Sequence, residues 1–136
     1  MTNTTTQTRS VVVEREIAFP AEKIWRALTQ PHLIQEWLMK SDFMPVVDHR
    51  FNFRGDWGAV DCQVLAVEPN RKLSYTWDAV GLESVVTWTL TPTPRGTHLR
   101  MEQSGFGPGQ GQAYQGAKFG WQKFFESLER VVGGLS

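Results

Sequence analysis

The run Gly111 to Val132, GQAYQGAKFGWQKFFESLERVV, constrains this chain more than any other stretch. Wound as a helix, it puts Tyr114, Ala117, Trp121, Phe124, Phe125, Leu128, Val131 and Val132 on one stripe, opposite Lys118, Gln122, Glu126 and Glu129. Each large side chain on that stripe contributes about 1.5–3 kcal/mol when buried. Such a helix therefore needs an apolar surface of its own length to lie on, and Gly133-Gly134 marks its end.

The residues before it supply that surface. From Phe43 to Gln103 the pattern has period two, broken by turn signals at Gly55–Gly58, Pro69-Asn70, Gly81 and Thr91–Gly96. Phe51 and Phe53 share a face, as do Leu73, Tyr75 and Trp77, then Val86, Trp88 and Leu90, then Leu99, Met101 and Gln103. Four or five antiparallel strands with one aromatic face follow. Upstream, VVVEREIAF (Val11–Phe19) is strand-like and leads into PAEKIWRALTQ, where Pro20 suits a first helical turn and Ile24, Trp25 and Leu28 recur at helical spacing. Pro31 restarts a second short helix carrying Leu33, Ile34, Trp37 and Leu38. This order predicts an α+β, helix-grip architecture: a curved antiparallel sheet wrapped around a long C-terminal helix, with two short helices after the first strand.

At 136 residues one core is enough, and a single domain over residues 11–134 is expected. Residues 1–10, MTNTTTQTRS, are Thr-rich with no apolar run and read as a disordered polar tail, neither a signal peptide nor a membrane span. Fourteen basic and fourteen acidic residues are interspersed, so no electrostatic footprint for nucleic acid or an anionic membrane is present. The single cysteine, Cys62, rules out an intrachain disulfide and fits a reducing, cytoplasmic setting. The oligomeric state, monomer or homodimer, is open, because an uncovered sheet edge can pair with a second copy.

The glycine-rich stretch SGFGPGQGQ (Ser104–Gln112) lies where a phosphate-binding turn would sit. It lacks the G-x-G-x-x-G register and any Gly-Lys-Ser/Thr, and no strand follows the helix to complete a βαβ unit. It reads as a mechanical turn at the mouth of the fold, with Gly105, Phe106, Gly107, Pro108 and Gly109 as a candidate gate loop. His32, His49, His98 and Cys62 share no short metal-ligand spacing, so neither a metal nor another cofactor is expected. No nucleophile motif is present. Asp56, Asp78, Glu83, Arg54 and Gln103 stand near strand ends or on the inward parity, where an acid–base group would have to be; for the charged ones, surface charge at a hairpin is the favoured reading.

Six tryptophans and eight phenylalanines exceed what a small core requires. Trp37, Phe51, Phe53, Tyr75, Trp77, Trp88, Met101, Gln103, Trp121 and Phe125 are therefore the candidate lining of a ligand cavity between helix and sheet, with a solid aromatic core as the alternative.

Four motifs then carry a family resemblance: FPAEKIWRALT (Phe19–Thr29) followed by Pro31, Leu33 and Trp37; VEPNRKL (Val67–Leu73); Gly96-Thr97-His98-Leu99 leading to Ser104-Gly105-Phe106; and Gly120-Trp121. Over residues 11–132 the chain resembles the AHSA1-like (activator of Hsp90 ATPase homologue) branch of the START/Bet v 1 (SRPBCC) superfamily. Carriers of lipids and sterols, hormone receptors and polyketide cyclases share that superfamily. The resemblance implies binding of a small hydrophobic or aromatic molecule. Its alternatives are an interaction module acting on an Hsp90-type chaperone, or a cyclase/hydratase-type enzyme using the same cavity.

Overall fold

The computed structural model describes residues 8–56, 58–79 and 81–135. Of the expected polar tail, residues 1–7 lie outside them, while Arg9 and Ser10 already belong to the first strand. That strand, β1 (Arg9–Ile17), is followed by α1 (Ala21–Thr29) and α2 (Pro31–Trp37), then β2 (Lys40–Ser41), β3 (Arg50–Gly55), β4 (Gly58–Glu68), β5 (Lys72–Ala79), β6 (Leu82–Thr93), β7 (Gly96–Phe106) and α3 (Gly111–Gly133). The strands form one antiparallel sheet in the order β1-β7-β6-β5-β4-β3-β2. The helix-grip architecture read from the sequence is the one observed. Just before the alternating run, the two-residue strand β2 carries too little pattern to be seen from sequence.

Local chemistry explains the elements. Pro20 takes extended geometry as the N-cap of α1, and Pro31 starts α2, where its missing N–H costs nothing. The two helices are tied by the Trp37 indole, whose Nε1–H donates to the Ala27 carbonyl at 2.8 Å. Along β3 to β7 the alternation holds: Phe51, Phe53, Val60, Val64, Leu73, Tyr75, Val86, Trp88, Leu99 and Met101 are buried on the inner face. Across that face lie Trp121, Phe125, Leu128 and Val132 of α3, also buried. Arg15 fixes the helix to the edge strand through Glu129 at 2.9 Å and Gln122 at 2.8 Å.

Two irregularities bend the sheet around the helix. In the β1–β7 ladder Arg9 faces Phe106 and Ser10 faces Ser104, so Gly105 is an extra residue in a bulge. Its φ of +115° suits glycine, and a Cβ there would stand 2.8 Å from the Glu83 carbonyl oxygen. The other lies in the β4–β5 ladder between Val64 and Ala66.

Candidate functional site

Between helix and sheet the rings form a continuous chain. Phe43 meets Phe51, which meets Tyr75 and Phe53; Phe53 meets Trp77, Trp77 meets Trp121, and Trp121 meets Trp88, with centroid separations of 5.0–5.7 Å. Trp88 also abuts Trp37 and stacks on Phe125. Edge-to-face contacts of this kind are worth about 0.5–1.5 kcal/mol per pair beyond area burial. Of the ten residues expected to line a cavity, Trp37, Phe51, Phe53, Tyr75, Trp88, Met101 and Phe125 thus pack into the interior. The physical reason is size: rings projecting from facing elements reach one another.

Open space remains at one end. A cleft of about 180 Å³ is bordered by Trp77, Leu82 and Gln103 of the sheet and by Ala113, Gly116, Ala117, Gly120, Trp121 and Phe124 of α3. The other three expected residues, Trp77, Gln103 and Trp121, are here. Sequence reasoning placed Ala117 and Phe124 on the helix stripe but missed Leu82, Ala113, Gly116 and Gly120. The signal available was two glycines four residues apart inside a helix, each costing about 1 kcal/mol relative to alanine.

A directed hydrogen-bond relay lies beside the cleft. The Trp121 indole N–H donates to Gln103 Oε1 at 2.7 Å, Gln103 Nε2 donates to Ser84 Oγ at 3.0 Å, and the Ser84 hydroxyl donates to the Trp77 carbonyl at 2.8 Å. An indole can only donate and a carbonyl can only accept, so the two ends fix the orientation of the carboxamide. Gln103 and Ser84 are both buried, and the relay satisfies them.

Of the expected gate loop, Gly105 and Phe106 belong to β7, and Phe106 is fully buried with its ring edge against Tyr114. The connection proper is residues 107–110. Gln110 clasps it, accepting from the Gly107 N–H at 2.7 Å and donating from Nε2 to the Gly81 carbonyl of the β5–β6 hairpin at 3.3 Å.

The charged acid–base candidates do not reach the interior. Arg54 and Asp56 are exposed at the end of β3, and Asp78 and Glu83 face each other in the β5–β6 ladder on its outer side. Asp78 also borders a larger, mostly polar hollow of about 540 Å³ on the outer face, with Asp42, Arg50, Asp61 and Gln63 and with the candidate residue Phe51 at its margin. Mixed charges there face solvent, so this hollow lacks the apolar enclosure that drives small-molecule binding. Among the described residues no group of three or more His, Cys, Asp or Glu side chains is placed to hold a metal.

Two buried groups carry a pH signature. Burial, then the Asp78 and Asp61 carboxylates, push the Cys62 thiol well above its ordinary 9.0. Burial likewise raises the Tyr75 hydroxyl above its ordinary 10.0, against the opposing effect of the hydrogen bond from Trp88. Neither is a nucleophile at neutral pH. In both cases the unfolded chain loses the proton first, so the contribution to stability is complete below the ordinary value and is lost as pH rises. Unfolding free energy is expected to fall by about 1.4 kcal/mol per pH unit from about pH 9, more steeply beyond about pH 10. Urea titrations across this range check it, and Cys62→Ala should delay the onset to about pH 10; equal onsets for both proteins would show that the thiol ionises within the fold.

A seven-stranded antiparallel sheet gripping a long C-terminal helix, with two short helices at one end and a cleft beneath the long helix, is the START/Bet v 1 type of domain. Within that superfamily this chain belongs to the AHSA1 family: the model for activator of Hsp90 ATPase homolog 1-like proteins matches residues 18–133. None of the curated proteins matches the chain. Among solved structures it is similar to a Mesorhizobium loti protein, at 64% identity over 94% of this chain and 99% of that one, with a TM-score of 0.91. It is also similar to DynU16, a protein of the dynemicin biosynthetic locus, at 29% identity over 92% of this chain and 47% of that one, TM-score 0.83. A Bacillus halodurans protein solved in solution is 27% identical over 91% of this chain and 96% of that one, TM-score 0.81.

Proposed function

We propose that this domain binds a small hydrophobic or aromatic molecule in the cleft under the N-terminal half of α3. The observation that carries the reading is the pair Gly116 and Gly120. Among the described residues a Cβ built on either meets nothing within 4 Å beyond the helix itself, so no packing among them calls for glycine at these two cleft positions. They lower helix propensity and keep the cleft open. Burial of an apolar ligand against Trp77, Trp121 and Phe124 supplies the affinity. In this reading residues 107–110 close the mouth, and the Gln110 hydrogen bond to Gly81 opens when a ligand enters. The similarity to a protein of the dynemicin biosynthetic locus, 47% of which this chain covers, supports a small-molecule ligand.

A second observation favours the interaction reading. Met44, Val46, Val47 and Leu65 are each about half exposed. They gather where the β2–β3 connection runs along β4, held by the Asp48 N–H to the Val64 carbonyl at 2.9 Å and the Val64 N–H to the His49 carbonyl at 3.0 Å. Exposed apolar clusters of this kind mark contact surfaces.

Native mass spectrometry of protein purified from its own cells tests the first reading against the second. A reproducible non-covalent adduct, absent from a Gly120→Leu variant whose side chain fills the cleft, is the expected result. A bare polypeptide mass, or an adduct that persists in Gly120→Leu, overturns the cleft as the binding site and leaves the apolar face as the functional surface.

A further inference from the structure

The chemistry of the cleft wall restricts what enters it, an inference that rests on the ligand-binding reading above. Among the described residues no ionisable side chain borders the cleft, and the polar side chains that do are those of Gln103, Trp77 and Trp121. An unpaired charge brought here would lose its hydration without compensation. The ligand is therefore neutral.

Hydrogen-bond counting sets its polarity. The Trp121 N–H is taken by Gln103 Oε1, and the relay running to Ser84 and the Trp77 carbonyl cannot reverse, because the indole holds one end and the carbonyl the other. Gln103 Nε2 carries two hydrogens and donates one of them, to Ser84; the other has no acceptor among the described residues, and neither has the Trp77 indole N–H. Gln103 is only 2% exposed, so its remaining donor is held in a buried, apolar setting. Gln103 Oε1 already accepts one hydrogen bond, and a carbonyl oxygen's second lone pair is left unused at less cost than an N–H, so the unmet need of the wall is for an acceptor. Size narrows the class further, since about 180 Å³ is close to the roughly 150 Å³ that accommodates a single benzene ring in an engineered protein cavity.

We propose that the cleft selects a neutral molecule of single-ring size bearing a hydrogen-bond acceptor, such as a carbonyl, which takes the remaining Gln103 Nε2–H. Gln103 is then the residue that sets specificity, and the relay to Ser84 holds its amide in the donating orientation.

Three single-ring probes of similar size test this: acetophenone, which is neutral with an acceptor; cumene, neutral without one; and benzoate, which is anionic. Each is titrated into the isotope-labelled domain, followed by the Gln103 side-chain amide and Trp121 indole resonances. Acetophenone is expected to shift both and to bind about tenfold tighter than either of the others, the Gln103 amide moving for acetophenone alone. Gly120→Leu should remove all of these shifts. Equal affinity for acetophenone and cumene, or tighter binding of benzoate, with Gly120→Leu still blocking, overturns the specificity inference and leaves the cleft reading standing. Absence of any shift at the cleft, or shifts that survive Gly120→Leu, overturns both.

Discussion

Trp88→Ala is expected to remove about 3–5 kcal/mol of stability, the range for emptying a buried tryptophan site. A domain of this kind has a total of about 5–15 kcal/mol, so the variant sits near the threshold of folding. Trp88 is fully buried in the middle of β6, in edge contact with Trp37 and Trp121 and stacked on Phe125 at 5.6 Å. It joins the sheet, the short helices and the long helix. Its Nε1–H also donates to the Tyr75 hydroxyl at 3.0 Å, so truncation leaves a buried hydroxyl without its donor. Trp88→Phe keeps most of the ring contacts and should cost clearly less. Denaturant midpoints of the three proteins decide the matter; a loss below about 1 kcal/mol for the alanine variant would mean that the ring chain does not hold the core together.

Gly96→Ala is the second large effect, expected at about 2–4 kcal/mol for a change of one methyl group. Gly96 opens β7 with φ of +156°, and a Cβ there would lie 2.2 Å from the Ile17 carbonyl oxygen and 2.8 Å from the Phe19 nitrogen. Both are backbone atoms at the turn from β1 into α1. They cannot rotate away, and the neighbouring Thr97 hydroxyl pins the same turn through the Phe19 carbonyl at 2.8 Å. Gly58 is the control: its φ is +141°, but nothing lies within 4 Å of a Cβ built on it. Gly58→Ala carries the conformational strain without the collision, so thermal denaturation should show a much larger drop in Tm for Gly96→Ala. Equal drops would place the whole cost in the backbone conformation.

The fold was legible because its signals are local and repeated. The period-two run placed Phe51 with Phe53 and Leu99 with Met101 on one face, and the helical stripe placed Trp121, Phe125 and Leu128 on another; each set is buried as a face should be. The site was legible only in part. Parity correctly sent Gln103 and Tyr75 inward, but it says nothing of whether an inward ring meets open space or another ring. Asp78 and Glu83 were candidates because strand ends are ambiguous, and the ladder puts them on the outer side. Gly105 and Phe106 read as loop because glycine and proline cluster there, whereas a bulge keeps both within β7.

Sequence alone determined which side chains leave water, because alternation and helical spacing depend on backbone geometry that every strand and helix shares. Tertiary structure alone decided how they meet: that seven of the ten candidate residues pack into the interior, and that Trp77, Gln103 and Trp121 border a cleft together with Gly116 and Gly120. That outcome depends on contacts between β7 and α3 and across strands far apart in the chain, where a ring's reach and a missing Cβ matter more than hydrophobicity.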